Sequence, residues 1–265
     1  ATDISDRGVN VLHPPIPYQA AIGDGESNDS QAIKNLLSIN GEIFLPEGYS
    51  FYLGSTIDYY NKKRLKIRGT GILKLKRDVI AFEVENLDHL EVGDGVFVDG
   101  SEQYGGVQNS NIFINGDNIR SAIVSRLLLK EGSMGVRLTN VKNYIQSQSI
   151  ATKFSGWAFS SGGNLENLIW RDNISTDSEY DGLKMTGQIK NVLVTGNICF
   201  GNKGDGFDFS GHSVENLKLH DNMFFNNGLN GIDVKILDRV EYPLPEGVEP
   251  TFSDIEIYDN TLKLN

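Results

Sequence analysis

Apolar and polar residues alternate at period two along most of the chain, in short runs such as "KRLKIRG", "ILKLK", "AFEVEN", "NVLVTGN" and "LKLHDN". Alternation of this kind puts successive side chains on opposite faces of an extended backbone, so the runs read as half-buried strands. They also recur. Glycines that open alternating runs stand at 135, 156, 182, 206 and 231, at intervals of 21, 26, 24 and 25 residues. Asparagines at 173, 197 and 222 keep the same phase, and Asn260 follows 38 residues later, the excess matching the insertion "LDRVEYPLPEGVEP". Each unit of about 24 residues divides into three short strands, as in "GLKMTG", "NVLVTGN" and "ICFGN". Strands this short bury no face alone, so consecutive units must stack. The pattern predicts an all-β chain, a single-stranded right-handed parallel β-helix, with apolar side chains in the bore and like residues laddered about 4.8 Å apart. The asparagine column reads as an interior ladder that satisfies backbone groups at the bends.

One stretch follows a different period. "GDGESNDSQAIKNLLSI" holds a glycine-rich turn, an Asp29/Ser30 N-cap and an amphipathic helix with Ile33, Leu36 and Leu37 on one face. Residues 21–40 therefore supply an N-terminal capping helix over the open bore, where it would block edge-to-edge pairing. Coils fill residues 41–265, irregularly spaced between 62 and 130 as early coils with insertions would be. No linker-like stretch interrupts them, so residues 1–265 read as a single domain. The final "DIEIYDNTLKLN" begins a coil that stops before its next glycine strand. That predicts either a partner chain over the end or a longer parent protein.

Strand register then sorts the side chains. Val136, Trp157, Leu183, Phe207 and Ile232 follow the aligned glycines and point inward, as do Leu138, Phe159, Met185, Phe209 and Val234. Between them an outward column forms: Arg137, Ala158, Lys184, Asp208 and Asp233. A second one follows, with Thr139, Ser160, Thr186, Ser210 and Lys235.

Composition narrows the partners. A formal net charge of -11 argues against non-specific binding to nucleic acid or an anionic membrane. No apolar run reaches the length of a membrane span. Cys199 is the one cysteine, so no intrachain disulfide forms, and its apolar surroundings in "NICFGN" predict a buried thiol. Dinucleotide, P-loop, nucleophile-elbow and zinc-ligand spacings are absent.

The outward column is where chemistry concentrates. Asp208 and Asp233 fall on neighbouring coils, with Cβ atoms about 5 Å apart. Two carboxylates at that distance should titrate apart, and such a pair suits glycoside hydrolysis. Asp208, Asp233 and His212 are the catalytic candidates. Lys184 beside Asp208 favours its ionisation, leaving Asp233 the proton carrier, whereas Lys235 opposes that split. Lys184, Arg137, Tyr180, Lys235, Ser210, Asp181 and Asp205 are candidates for substrate contact, the last two at a rim that Asn230 continues. Asp-Gly and Asn-Gly are also strong turn dipeptides, so the rim has a structural reading of its own. Tyr242, in the long insertion from Leu237 to Pro250, would wall the groove. The spacing of Asp205 and Asp208 is too sparse for a metal site. No cofactor is predicted, and calcium at the rim is the one cation left open.

"AAIGDGESNDSQAIKNLL" followed by "GEIFLPEGYSF" resembles the opening motif of the pectate-lyase-like (pectin-lyase-like) β-helix superfamily. "DRGVNVLHPPIPYQAA" is similar to the lead-in of bacteriophage tailspike and pre-neck appendage proteins, and "NICFGNKGDGFDF" resembles coils of mannuronan C5-epimerase modules. The epimerase Asp-Pro-His-Glu stretch is missing, with "EYDGLKM" in its place. The resemblance implies a homotrimeric tailspike-like or appendage-like protein on a virion tail or otherwise extracellular. Such a protein would bind and cleave a bacterial surface polysaccharide or teichoic acid. A lyase or C5-epimerase acting on a uronate polymer, with Lys184, His212 or Tyr180 abstracting the proton, is the second expectation. A non-catalytic glycan-binding β-helix is the third.

Overall fold

A computed structural model describes residues 8–101, 111–236 and 251–263. The alternating runs form two parallel sheets, of twelve and ten strands, in which neighbours come from successive coils of a solenoid of about eight turns. Two of the three strands expected per coil run on as one bent strand. Leu183–Thr195 contains both "LKMTG" and "NVLVT", and Ile198–Phe200 is the third. The bend falls at Asn191, with φ of 55°, and the same left-handed corner recurs at Asn167 and Asn216. Asparagine is among the few residues that tolerate this conformation. Here the corner amides also join coil to coil, Asn191 to Asn167 and Asn216 to Asn191, each at 3.0 Å.

The bore is filled as the alternation requires. Val136, Leu138, Leu183, Met185, Phe207 and Phe209 are all sealed from solvent. The interior asparagine ladder is present. Asn173, Asn197 and Asn222 are buried, and each donates both its backbone N–H and its amide to the Oδ1 of the asparagine one coil on. Their amides also donate to carbonyls at the bends, as Asn197 does to Trp170 at 2.9 Å. Cys199 is buried, and burial pushes its thiol well above the usual range.

The helix spans Ser30–Asn40, with Ile33, Leu36 and Leu37 buried in the core. Its start differs from expectation. Asp29 occupies the N-cap position without capping; its carboxylate instead accepts the N–H groups of Ile22 and Gly23 at 2.6 and 3.2 Å. Asn28 Oδ1 takes the Ser30 N–H at 3.1 Å.

One coil sits in a different register. Phe159, not Trp157, pairs with Val136 and Leu183, and Ser160 pairs with Arg137 and Lys184. Ala158, expected outside, is therefore buried and takes the place that glycine holds in the other coils, while Trp157 moves out of the bore to the rim. Ser160 shifts from the second outward column to the first, and Gly162 fills its former place.

Candidate active site

The corrected register produces one continuous outward row. Asp58, Glu83, Asn115, Arg137, Ser160, Lys184, Asp208 and Asp233 each pair with the next. Asp208 and Asp233 are thus neighbours, and Lys184 lies on the other side of Asp208. At the head of the row, Arg137 acts electrostatically on Glu83, whose carboxyl is pushed up by burial and steadied by Asn115 at 2.9 Å.

Asp208 is almost fully enclosed. One carboxylate oxygen meets the Lys184 ammonium, and the other accepts from Ser210 Oγ at 2.7 Å and lies 3.4 Å from Lys235 Nζ. Lys184 also donates to Ser210 Oγ at 3.1 Å. The Ser210 hydroxyl is therefore engaged with its own neighbours rather than facing outward. Lys235 contacts Asp233 as well as Asp208. Partial burial works against its charge, but the two carboxylates override that and hold its pKa above the ordinary lysine value. The cation that was expected to oppose a split between the two aspartates thus bridges them.

The rim brings a third and fourth carboxylate to the same place. Asp181 Oδ1 accepts the Asp205 N–H at 2.8 Å, and Asp205 Oδ1 accepts the Asn230 N–H at 2.6 Å. Each rim side chain fastens the turn of the next coil, which is the structural role that the dipeptides suggested. Gly204 is required beside it, because a Cβ there would stand 2.3 Å from Asp181 Oδ1. In the coil before, Trp157 fills the rim position, and its indole N–H donates to Asp181 Oδ2 at 3.0 Å. Lys184 Nζ lies 3.6 Å from the same oxygen. Burial raises the Asp181 carboxyl above its ordinary value of 3.8 despite those partners, and nearby Asp208 adds to the rise.

One oxygen each from Asp181, Asp205 and Asp208 lies within 4.8 Å of the others. Spacing along the chain concealed this group, since its members come from different coils. A cation bound there would compete with the Lys184 ammonium, which already contacts Asp208 and Asp181.

Tyr180 is 46% exposed, with its ring centroid 5.4 Å from that of Trp157. The two rings form an aromatic ledge beside Asp181. His212 sits at a β-bulge, unpaired between Gly211 (opposite Gly187) and Ser213 (opposite Gln188). Its side chain is buried, and Nε2 has no hydrogen-bond partner among the described residues. Tyr242 lies outside the described residues.

A groove of about 790 Å³ begins where these rows end and runs along the bend, from Glu85 to Glu215 across six successive strands. At the strand spacing of about 4.8 Å it is about 24 Å long.

Neither a protein-family model nor a curated protein matches the sequence. Solved structures do match. The catalytic unit of a thermostable GH87 α-1,3-glucanase from Streptomyces thermodiastaticus strain HF3-3 superposes with a TM-score of 0.69 at 15% identity, over 96% of this chain and 48% of its own. The chain thus spans about half the length of that unit. Endo-xylogalacturonan hydrolase from Aspergillus tubingensis gives 0.55 at 16% identity, over 93% of this chain and 84% of its own. A tailspike protein mutant of E. coli bacteriophage HK620, in complex with a pentasaccharide, gives 0.49 at 14%, covering 98% and 58%. These neighbours are pectin-lyase-like β-helix proteins, and the likeness is one of fold.

Proposed function

We propose that this chain is a glycan depolymerase that cleaves a polysaccharide by acid/base hydrolysis. One observation carries the reading: two neighbouring carboxyl groups sit in opposed environments. Asp181 is buried, with its pKa raised, and suits the role of proton donor. Asp208 has two ammonium groups and a hydroxyl against it, and suits the role of carboxylate nucleophile. Asp181 gives its proton to the glycosidic oxygen as the bond to the anomeric carbon breaks. With its oxygen within 4.8 Å of that of Asp181, Asp208 bonds to the anomeric carbon as the glycosidic bond breaks; water then gives its proton to Asp181 and its oxygen to that carbon, releasing Asp208. The sugar would lie against the Trp157–Tyr180 ledge, with Asp205 holding the rim.

The Asp208–Asp233 pair expected from register thereby becomes an Asp181–Asp208 pair, in which Asp233 positions Lys235. His212 takes no part in the proton transfers, its free nitrogen being sealed. Lys184, with Asp208 and Asp181 in contact, serves as a charge partner rather than the base of a lyase. The glucanase and hydrolase neighbours support the glycan-directed reading. Right-handed winding, the near-universal sense for parallel crossovers, and closure of the bore by the helix Ser30–Asn40 belong to the same proposal. So do a homotrimer and a place on a virion tail or elsewhere outside the cell, in keeping with the similarity of residues 6–21 to tailspike lead-ins.

The test is digestion of a polysaccharide panel by wild type, Asp181→Asn and Asp208→Asn, read by product mass. Wild type should shorten at least one polymer, and each variant should lose roughly 10²–10⁴-fold in rate. Undiminished cleavage by either variant overturns the assignment, and binding without shortening overturns the activity.

A further inference from the structure

Resting on that hydrolase reading, we infer the substrate class: an uncharged polysaccharide, lying across the coils in the groove beside the row. The site has four carboxyl groups, Asp181, Asp205, Asp208 and Asp233, and two ammonium groups, Lys184 and Lys235. Both lysines are already in contact with those aspartates. Arg137, the remaining cation of the row, acts on Glu83 only through space, with Asn115 between them in the register. Carboxyl groups thus outnumber cations at the site, and both lysines beside the acid/base pair are already held by its aspartates.

The groove repeats the pattern. Its lining carries Glu85, Asp117, Glu166 and Glu215 against Lys142 and Lys190, and Lys190 is bound to Glu215 at 2.9 Å. An anionic polymer would meet an excess of like charge along the whole path, in a protein that is itself strongly acidic.

What remains suits a neutral sugar. Gln188 and Asn164 present amides to the groove, and Ser213, three residues beyond Ser210 on the same strand, lines it as well. The Trp157–Tyr180 ledge offers an apolar face for a pyranose ring. Uronate lyases and epimerases face a further demand, a cation to neutralise the carboxylate while the adjacent proton leaves. Here the two cations beside the acid/base pair, Lys184 and Lys235, are held by the protein's own aspartates.

The experiment uses wild-type protein and three polymer sets at low and moderate salt. One set is uncharged (glucans, mannans, galactans), one carries uronates (alginate, polygalacturonate, hyaluronan), and one is a glycerol teichoic acid. Fragment masses report cleavage, and retardation in polymer-containing gels reports binding. The expected result is cleavage and retardation confined to the uncharged set and indifferent to salt. An anionic polymer cut or retained at least tenfold better than every uncharged one, with improvement at lower salt, overturns the inference and leaves the hydrolase reading standing. Retardation by uncharged polymers without cleavage of any polymer upholds the inference and overturns the hydrolase reading. Neither cleavage nor retardation by any set overturns both.

Discussion

Removing the side chain of Asn197 should damage the solenoid far more than removing a corner asparagine from its surface. Asn197 Oδ1 accepts the backbone N–H and the amide of Asn173, both at 3.0 Å, and its own amide donates to Asn222 Oδ1, Trp170 O and Thr195 O. In Asn197→Ala the buried Asn173 N–H loses its acceptor, which costs about 1–3 kcal/mol, and the other lost bonds add roughly 0.5–1.5 kcal/mol each. The Asn173 amide keeps Gln146 O, and Thr195 O keeps the Asp172 N–H, so not every partner is orphaned. The net loss should be about 3–5 kcal/mol, or roughly 6–20 °C in Tm for a chain of this size. Asn191→Gly is the comparison. It deletes two amide contacts, one exposed and one part-buried, but keeps a residue at ease with φ of 55°, so it should cost under about 1 kcal/mol. Chemical denaturation and thermal melting read both variants. If Asn197→Ala falls within about 1 kcal/mol of Asn191→Gly, the interior ladder does not carry the stability argued for it.

Three other outcomes follow from the site. Asp181 has a raised folded pKa, so its contribution to stability is whole below pH 3.8 and is lost as pH rises through the folded value. Asp181→Asn should therefore be inactive yet gain in melting temperature over wild type as pH climbs from acid to neutral; a constant difference across that range would contradict the burial argument. Trp157→Phe removes an N–H donor that favours the ionised Asp181, so the alkaline limb of the pH–rate profile should move upward, and a downward move would contradict the geometry. Lys184→Met breaks a buried pair and should cost about 3 kcal/mol, the low end for such pairs because Lys235 remains 3.4 Å from Asp208. Combined with Asp208→Asn it should cost less than the two single losses together, and strict additivity in denaturant titrations would show the pair uncoupled.

The sequence carried the solenoid because its period and alternation are local properties, repeated often enough to reinforce one another. The Asp208–Asp233 adjacency and the interior ladder followed from that phase alone. The coil around Gly156 did not, because alanine there holds the position that glycine holds in the other coils. Aligning Ala158 in its place gives intervals of 23 and 24 rather than 21 and 26, closer to the rest of the series. That regularity was the available signal, and it would have put Trp157 at the rim beside Asp181. The carboxylate group of Asp181, Asp205 and Asp208 was harder to see. It depends on how far rim side chains reach between coils, a distance that register fixes only to the level of the backbone. Which lysine meets which aspartate also depends on rotamers, so the bridging position of Lys235 was beyond a strand-by-strand reading.

Hydrolysis at the Asp181–Asp208 pair brings the oxygen of water into the product. Digestion of the cleaved polysaccharide in oxygen-18-labelled water, followed by mass spectrometry of the fragments, tests it most directly. Wild type should place one labelled oxygen at each newly formed reducing end, and Asp208→Asn should lose the labelled product. Fragments without label, or with the unsaturated ends of an elimination, would contradict it.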